Sequence, residues 1–136
     1  MHIVLVSDSE TQGGAAIAAS RLAQGLCQAG HRVSRLVCWG DGRKHAWETH
    51  WFLRERLLPG LRRRMLARGW FSAWFRRDAR DWMAGKLKQL RPAVINIHNL
   101  HAAGPYGWGL GCVVACLEEA PTVWTLHDMW SFTGRC

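Results

Sequence analysis

The 136-residue chain lacks any long hydrophobic run. Its longest uncharged stretch, Pro92 to Leu117, is broken by Asn96, His98, Asn99, His101 and four glycines, too polar for a membrane span of about 20 apolar residues. No secretory signal pattern is read, because Met1-His2 leads straight into a short apolar segment and the next one is cut by Arg21. Five irregularly spaced cysteines leave one over under any intramolecular pairing, which points to reduced thiols in a cytoplasm rather than a disulfide framework. Neither G-x-G-x-x-G nor a P-loop follows the first apolar segment. His98 and His101 have no third metal ligand at a standard spacing. Acidic residues are few, 10 against 18 Lys and Arg, and no recognised RNA-binding motif accompanies the excess of positive charge.

What is present is an ordinary globular composition. Apolar residues at 49% and charged residues at 21% argue against disorder, a collagen-like repeat or a coiled coil, and the length allows one domain. The charge is unevenly placed. Between Trp51 and Arg91 stand twelve Lys or Arg and three Asp or Glu, a local balance of +9 within a total of +8, so the rest of the chain sums to −1. A basic segment on a neutral body points to one surface facing something anionic.

Apolar patterning predicts an alternation of strands and helices. His2-Ile3-Val4-Leu5-Val6 is a strand buried on both faces, ending at Ser7-Asp8-Ser9. A helix follows Gly13-Gly14, with Ile17, the Arg21 stem, Leu22 and Leu26 expected on its apolar face and Gly30 at its end. Val33 to Trp39 is the second strand, which closes a βαβ unit. Gly40 to His50 reads as polar and turn-like, and a helical region interrupted at Pro59-Gly60 follows. A helix over Arg76 to Leu90 puts Ala79, Trp82 or Met83, Leu87 and Leu90 on one face, and Pro92 bars its continuation. Ala93 to Ile97 is the third strand, Leu110 to Glu119 a short helix and Pro121 to Leu126 the fourth strand. The result is α/β and doubly wound.

In such a sheet the ligand crevice lies beyond the carboxyl ends of the strands. Three chemically rich stretches each follow a predicted strand: Ser7 to Gly14, His98 to Gly104 and His127 to Gly134. Gly13-Gly14 at a helix entry either brings backbone N–H groups to a phosphate or merely shapes a turn. His98-Asn99-Leu100-His101 offers imidazoles for hydrogen bonding or proton movement, although His98 by itself reads as a packed strand residue. His127 leaves the last strand beside Asp128, with neither direct pairing nor more than a structural role implied by adjacency. Cys27, Cys38, Cys112 and Cys116 read as small buried residues. Nine arginines between Arg54 and Arg80 interleave with Trp70, Phe71, Trp74 and Phe75. That mixture suits an anionic membrane surface, with Arg62, Arg63, Arg64, Trp70 and Trp74 as the contacts. A solvated helix face is the competing account, and nucleic acid ranks last.

Ile3 to Ser9, Gly13 to Ala18, Ile97 to His101 and above all Val123-Trp124-Thr125-Leu126-His127-Asp128-Met129-Trp130-Ser131-Phe132-Thr133-Gly134 resemble the N-terminal domain of family 4 glycosyltransferases. The likeness is greatest to the branch of colanic-acid and other bacterial surface-polysaccharide enzymes, and it spans nearly the whole chain except Trp51 to Arg80. It implies a Rossmann-like parallel sheet with helices on both faces, the N-terminal, acceptor-side half of a GT-B fold. Sugar would pass with retention from a nucleotide-sugar to a lipid-linked or saccharide acceptor, with no metal and no separate cofactor.

By the same resemblance, Gly13 and Gly14 approach the donor phosphates, His127 contacts the transferred sugar, and Asn99, His101, Asp128, Met129 and Trp130 line the acceptor pocket. The chain is then expected to be a fragment spanning 1–136. It would carry a basic helical insertion at about 51–80, lack a C-terminal donor-binding domain, and be inactive alone at the inner face of a membrane. A non-catalytic module docking on membrane or an acidic partner is the alternative. A nucleotide-cofactor domain is a third, opposed by the missing fingerprint.

Overall fold

The computed structural model describes residues 1–40, 42–52, 72–100 and 108–129, without the side chains of 72–76. Among the described residues, five strands and three helices fall in the order β1 (His2–Ser9), α1 (Gly14–Gln28), β2 (Arg32–Trp39), β3 (Glu48–Trp51), α2 (Ser72–Leu90), β4 (Val94–His98), α3 (Leu110–Glu119) and β5 (Thr122–Thr125). They form one five-stranded sheet of order β3-β2-β1-β4-β5, in which every pairing is parallel. This is the expected Rossmann-like α/β architecture.

Alternation along the strands divides the core into two layers. Val4, Val6, Leu36, Cys38, Ile95 and Ile97 face α2 and α3, where Ala79, Trp82, Met83, Leu87, Cys112 and Cys116 complete the larger cluster. Phe52, Trp82 and Trp108 pack there with ring centroids 5.5–5.7 Å apart. Ile3, Leu5 and Val33 point to the opposite side and meet Ala23 and Leu26 of α1. Helices therefore cover both faces.

The α2 face is the one its spacing predicts. The α1 face is not: Ala16, Ala19 and Ala23 are buried, whereas Ile17 is 45% and Leu22 40% exposed, and Arg21 is exposed too. Small side chains let α1 lie close against the sheet, so alanine and not the larger aliphatics marks the inward stripe. Leu26 does pack inward.

Another departure lies in the segment read as a polar turn. Its last residues form β3, which pairs with β2 from Ser34↔Glu48 to Val37↔Trp51. Glu-Thr-His-Trp has no apolar run because this is an edge strand, half-buried at most. The first strand also runs on to Ser9, since Ser7 and Ser9 pair with Val37 and Trp39.

The helix ends follow local chemistry. Gly30 adopts φ +81° just past α1, as a left-handed C-terminal residue should. At the start of β1, His2 donates from Nδ1 to the Leu90 carbonyl at 2.8 Å and lies 2.9 Å from Ser34 Oγ through Nε2, tying the end of α2 to the sheet.

Candidate functional site

Strand order reverses direction at β1, which has β2 on one side and β4 on the other. Connections leaving the carboxyl ends of β1 and β4 diverge there and open a crevice. A pocket of about 280 Å³ occupies it, lined by Ser7, Asp8 and Ser9 from β1, by residues 12–16, by Trp39, by His98 at the end of β4 and Asn99 just after it, and by Asp128.

The N-terminus of α1 forms one wall. Gly13 is the N-cap, at φ +89° and ψ 161°, with no side-chain cap hydrogen bond and no acidic residue in the first turn. Its carbonyl accepts the Ile17 N–H at 3.0 Å, and the Gln12 N–H goes to Ser9 Oγ at 3.0 Å. A Cβ at Gly13 or Gly14 would meet nothing within 4 Å. Gly13 is thus demanded by its backbone angle, while Gly14 leaves open space over the helix end. The first-turn N–H groups and the positive end of the helix dipole favour an anion.

The opposite wall joins the exits of β4 and β5. His98, the last residue of β4, is 3% exposed. It lies on the α1 side of the sheet by alternation with Ile97. Its Nδ1 is 2.8 Å from His127 Nε2, and the two rings lie edge to edge, their centroids 5.1 Å apart and their planes 23° apart. Burial above all, then the neighbouring His127 and Arg35, push the His98 pKa down from 6.5 to about 4, so this imidazole is neutral at physiological pH. Asn99 takes φ +45° and uses its side chain twice: Nδ2 donates to Asp128 Oδ2 at 2.9 Å, and Oδ1 accepts the His127 N–H at 3.1 Å.

Beneath the pocket, fully buried Arg35 fixes the strand-to-helix connection. One terminal nitrogen donates to the Glu10 carbonyl at 2.8 Å and Ser20 Oγ at 2.6 Å, and the other to Ser7 Oγ at 2.6 Å and the Ser9 carbonyl at 3.3 Å. Burial lowers its pKa to about 10, partly opposed by the Glu10 charge, so Arg35 remains a cation. Trp108, packed in the larger core cluster, anchors the end of β1, with its backbone N–H to Asp8 Oδ1 at 2.7 Å and its indole N–H to the Ser7 carbonyl at 2.8 Å. Among the described residues no group of three His, Cys, Asp or Glu side chains is gathered that could ligate a metal.

Such a site pairs N–H donors suited to an anion with imidazole and amide groups suited to hydroxyls. A family model, Glycosyltransferase Family 4, matches residues 12–135. The chain belongs to that family. No curated protein matches it significantly.

In this family 4 glycosyltransferase domain, Gly13, Gly14, Asn99 and Asp128 line one pocket, and His127, which does not line it, is bonded to two residues that do, Asn99 and His98. Asp128 bonds Asn99. Met129 follows, 59% exposed. His101, Trp130, Arg62, Arg63, Arg64, Trp70 and Cys136 lie outside the described residues, as does the Trp74 side chain. Cys38, Cys112 and Cys116 are buried, whereas Cys27 is only half-buried. Burial drives the Cys112 and Cys116 thiols up to about 12. No described helix is long and apolar enough to cross a membrane.

Sequence reasoning missed Arg35, Trp39 and Trp108. Arg35 left a signal, a cation in the middle of the apolar strand Val33 to Trp39, because a charge is buried there only when it is paired.

Proposed function

We propose that this domain is the N-terminal, acceptor-side half of a retaining glycosyltransferase of surface-polysaccharide synthesis. In this proposal it passes a sugar from a nucleotide-sugar to a lipid-linked or saccharide acceptor, with a C-terminal domain holding most of the donor. The carrying observation is that Gly13, Gly14, Asn99 and Asp128, far apart in sequence, line one pocket, and that two of its lining residues, His98 and Asn99, hold His127. The N–H groups at Gly13 and Gly14 take the negative charge that develops on the departing diphosphate. His127 hydrogen-bonds the transferred sugar and its transition state, without covalent attack. Asn99, His101, Asp128, Met129 and Trp130 receive the acceptor.

The test is sugar transfer by the complete enzyme from radiolabelled nucleotide-sugars to membrane extract. His127→Ala is expected to lower kcat by about 10²-fold or more, the scale for losing one hydrogen-bond donor to developing charge. Unchanged transfer would remove His127 from the site. The isolated 136-residue chain is expected to bind nucleotide-sugar weakly in calorimetry, and tight binding with turnover would contradict the division between domains.

The concentration of charge between Trp51 and Arg91 favours a second role, docking of this segment on anionic membrane. Co-sedimentation with phosphatidylserine vesicles is expected to weaken when Arg62, Arg63 and Arg64 are changed to Ala. Binding that ignores lipid charge would leave a solvated face.

A further inference from the structure

We propose that His98 is a positioning residue that sets the tautomer of His127, so that His127 presents an Nδ1–H donor to the ligand. The inference deepens the proposed sugar-transfer site and rests on His127 belonging to it.

His98 Nδ1 and His127 Nε2, 2.8 Å apart, share one proton across that contact. If His127 supplied it, the His98 proton would sit on Nε2. That nitrogen is buried and hydrogen-bonds nothing among the described residues. A buried N–H without an acceptor is rarer and more costly than an acceptor without a donor. A doubly protonated His98 is opposed by its burial and by the positive charge of Arg35. The proton therefore stays on His98 Nδ1 and points at His127 Nε2, which becomes the acceptor. The remaining proton of His127 is carried on Nδ1, the nitrogen the dyad leaves unused.

Two further features hold this arrangement. The Asn99 side chain fixes the His127 backbone at 3.1 Å, and the two rings lie edge to edge with their planes only 23° apart, so that a His98 Nδ1–H aims at the in-plane lone pair of His127 Nε2. An N–H donor suits sugar hydroxyls and phosphate oxygens, both of which accept.

Imidazole nitrogen shifts of the ¹⁵N-labelled 136-residue chain, read by long-range proton correlation near pH 7.5, test the assignment. Wild type is expected to show protonated-type Nδ1 and unprotonated-type Nε2 at His127, and protonated-type Nδ1 at His98. His98→Leu is expected to return His127 to the Nε2–H tautomer that free imidazole favours, and His98→Asn, whose amide can still donate, to restore the Nδ1–H form. A wild-type His127 carrying its proton on Nε2 would overturn the inference even if neither variant folds, as would a His98→Leu chain with unchanged His127 shifts.

Sugar transfer by the complete enzyme separates the two levels. His98→Leu is expected to lower kcat about tenfold or more, the scale on which partners orienting a functional imidazole act, with His98→Asn recovering part of it. A tautomer that changes while transfer does not would uphold the coupling of the two histidines and sink the role of His127 in the reaction.

Discussion

Asn99 accepts the backbone N–H of His127 at 3.1 Å, so the exits of β4 and β5 are joined by one side chain. The same amide donates to Asp128 at 2.9 Å, and the Asn99 backbone sits at φ +45°. Asparagine serves both needs, since it tolerates the left-handed region and carries a donor and an acceptor.

Backbone and side-chain contributions of Asn99 separate in two variants. Asn99→Gly keeps the angle and loses two hydrogen bonds, for about 1–2 kcal/mol, while Asn99→Ala adds about 1 kcal/mol for the left-handed backbone. Urea midpoints are expected to rank wild type above Gly above Ala. Transfer by the complete enzyme is expected to fall in both variants alike, because both release the His127-Asp128 turn.

Acid stability is the second test. The His98 pKa is lowered from 6.5 to about 4, so between those values the unfolded chain binds a proton that the folded chain refuses. Stability contributed by the neutral buried ring is therefore present above about pH 7 and is lost as pH falls toward 4, by about 3 kcal/mol at 1.36 kcal/mol per unit. Urea unfolding at pH 7.5, 5.5 and 4 is expected to show this decline in wild type and a shallower one in His98→Asn. Parallel curves would disprove it.

The two glycines are expected to behave differently. Gly13→Ala places a side chain at φ +89° and should cost about 1 kcal/mol of stability. Gly14→Ala lies in the helix with open space around it and should raise stability by about 0.5–1 kcal/mol. If the open space serves donor phosphates, Gly14→Ala weakens inhibition of the complete enzyme by the nucleoside diphosphate product while the domain becomes more stable. A stabilised variant with undiminished inhibition would leave Gly14 a turn residue.

Arg35 supports the floor. Arg35→Met leaves the Ser7 and Ser20 hydroxyls and two carbonyls without their donor and should cost about 3–5 kcal/mol, as removal of one partner from a buried charged network does. Arg35→Lys is expected to recover only part, because an ammonium cannot reproduce the four-way fork. Hydrogen exchange at residues 7–10 should quicken in both, and unchanged exchange there would refute this role.

Much of the scaffold was legible because its signals are local. Continuous apolar residues at Ile3 to Val6, the period of Ala79, Met83 and Leu87, and the full extent of α3 each depend on neighbours in sequence. The inward face of α1 was misread because periodicity ranks residues by apolar size, and the contact with the sheet selects for smallness. β3 was invisible because an edge strand needs only one hydrogen-bonding partner, and that partner, Val33 to Trp39, lies about ten residues away.

For the candidate site the division is similar. The sequence by itself determined which loops carry chemistry, since groups suited to anions and hydroxyls cluster after the strands at Gly13-Gly14, His98-Asn99 and His127-Asp128. Only the tertiary structure decided how they pair: His127 with His98, Asp128 with Asn99, and Arg35 beneath the pocket. Adjacent residues leaving a strand diverge, whereas parallel pairing of β4 with β5 sets His98 opposite Thr125 and so brings the two exits within hydrogen-bonding reach.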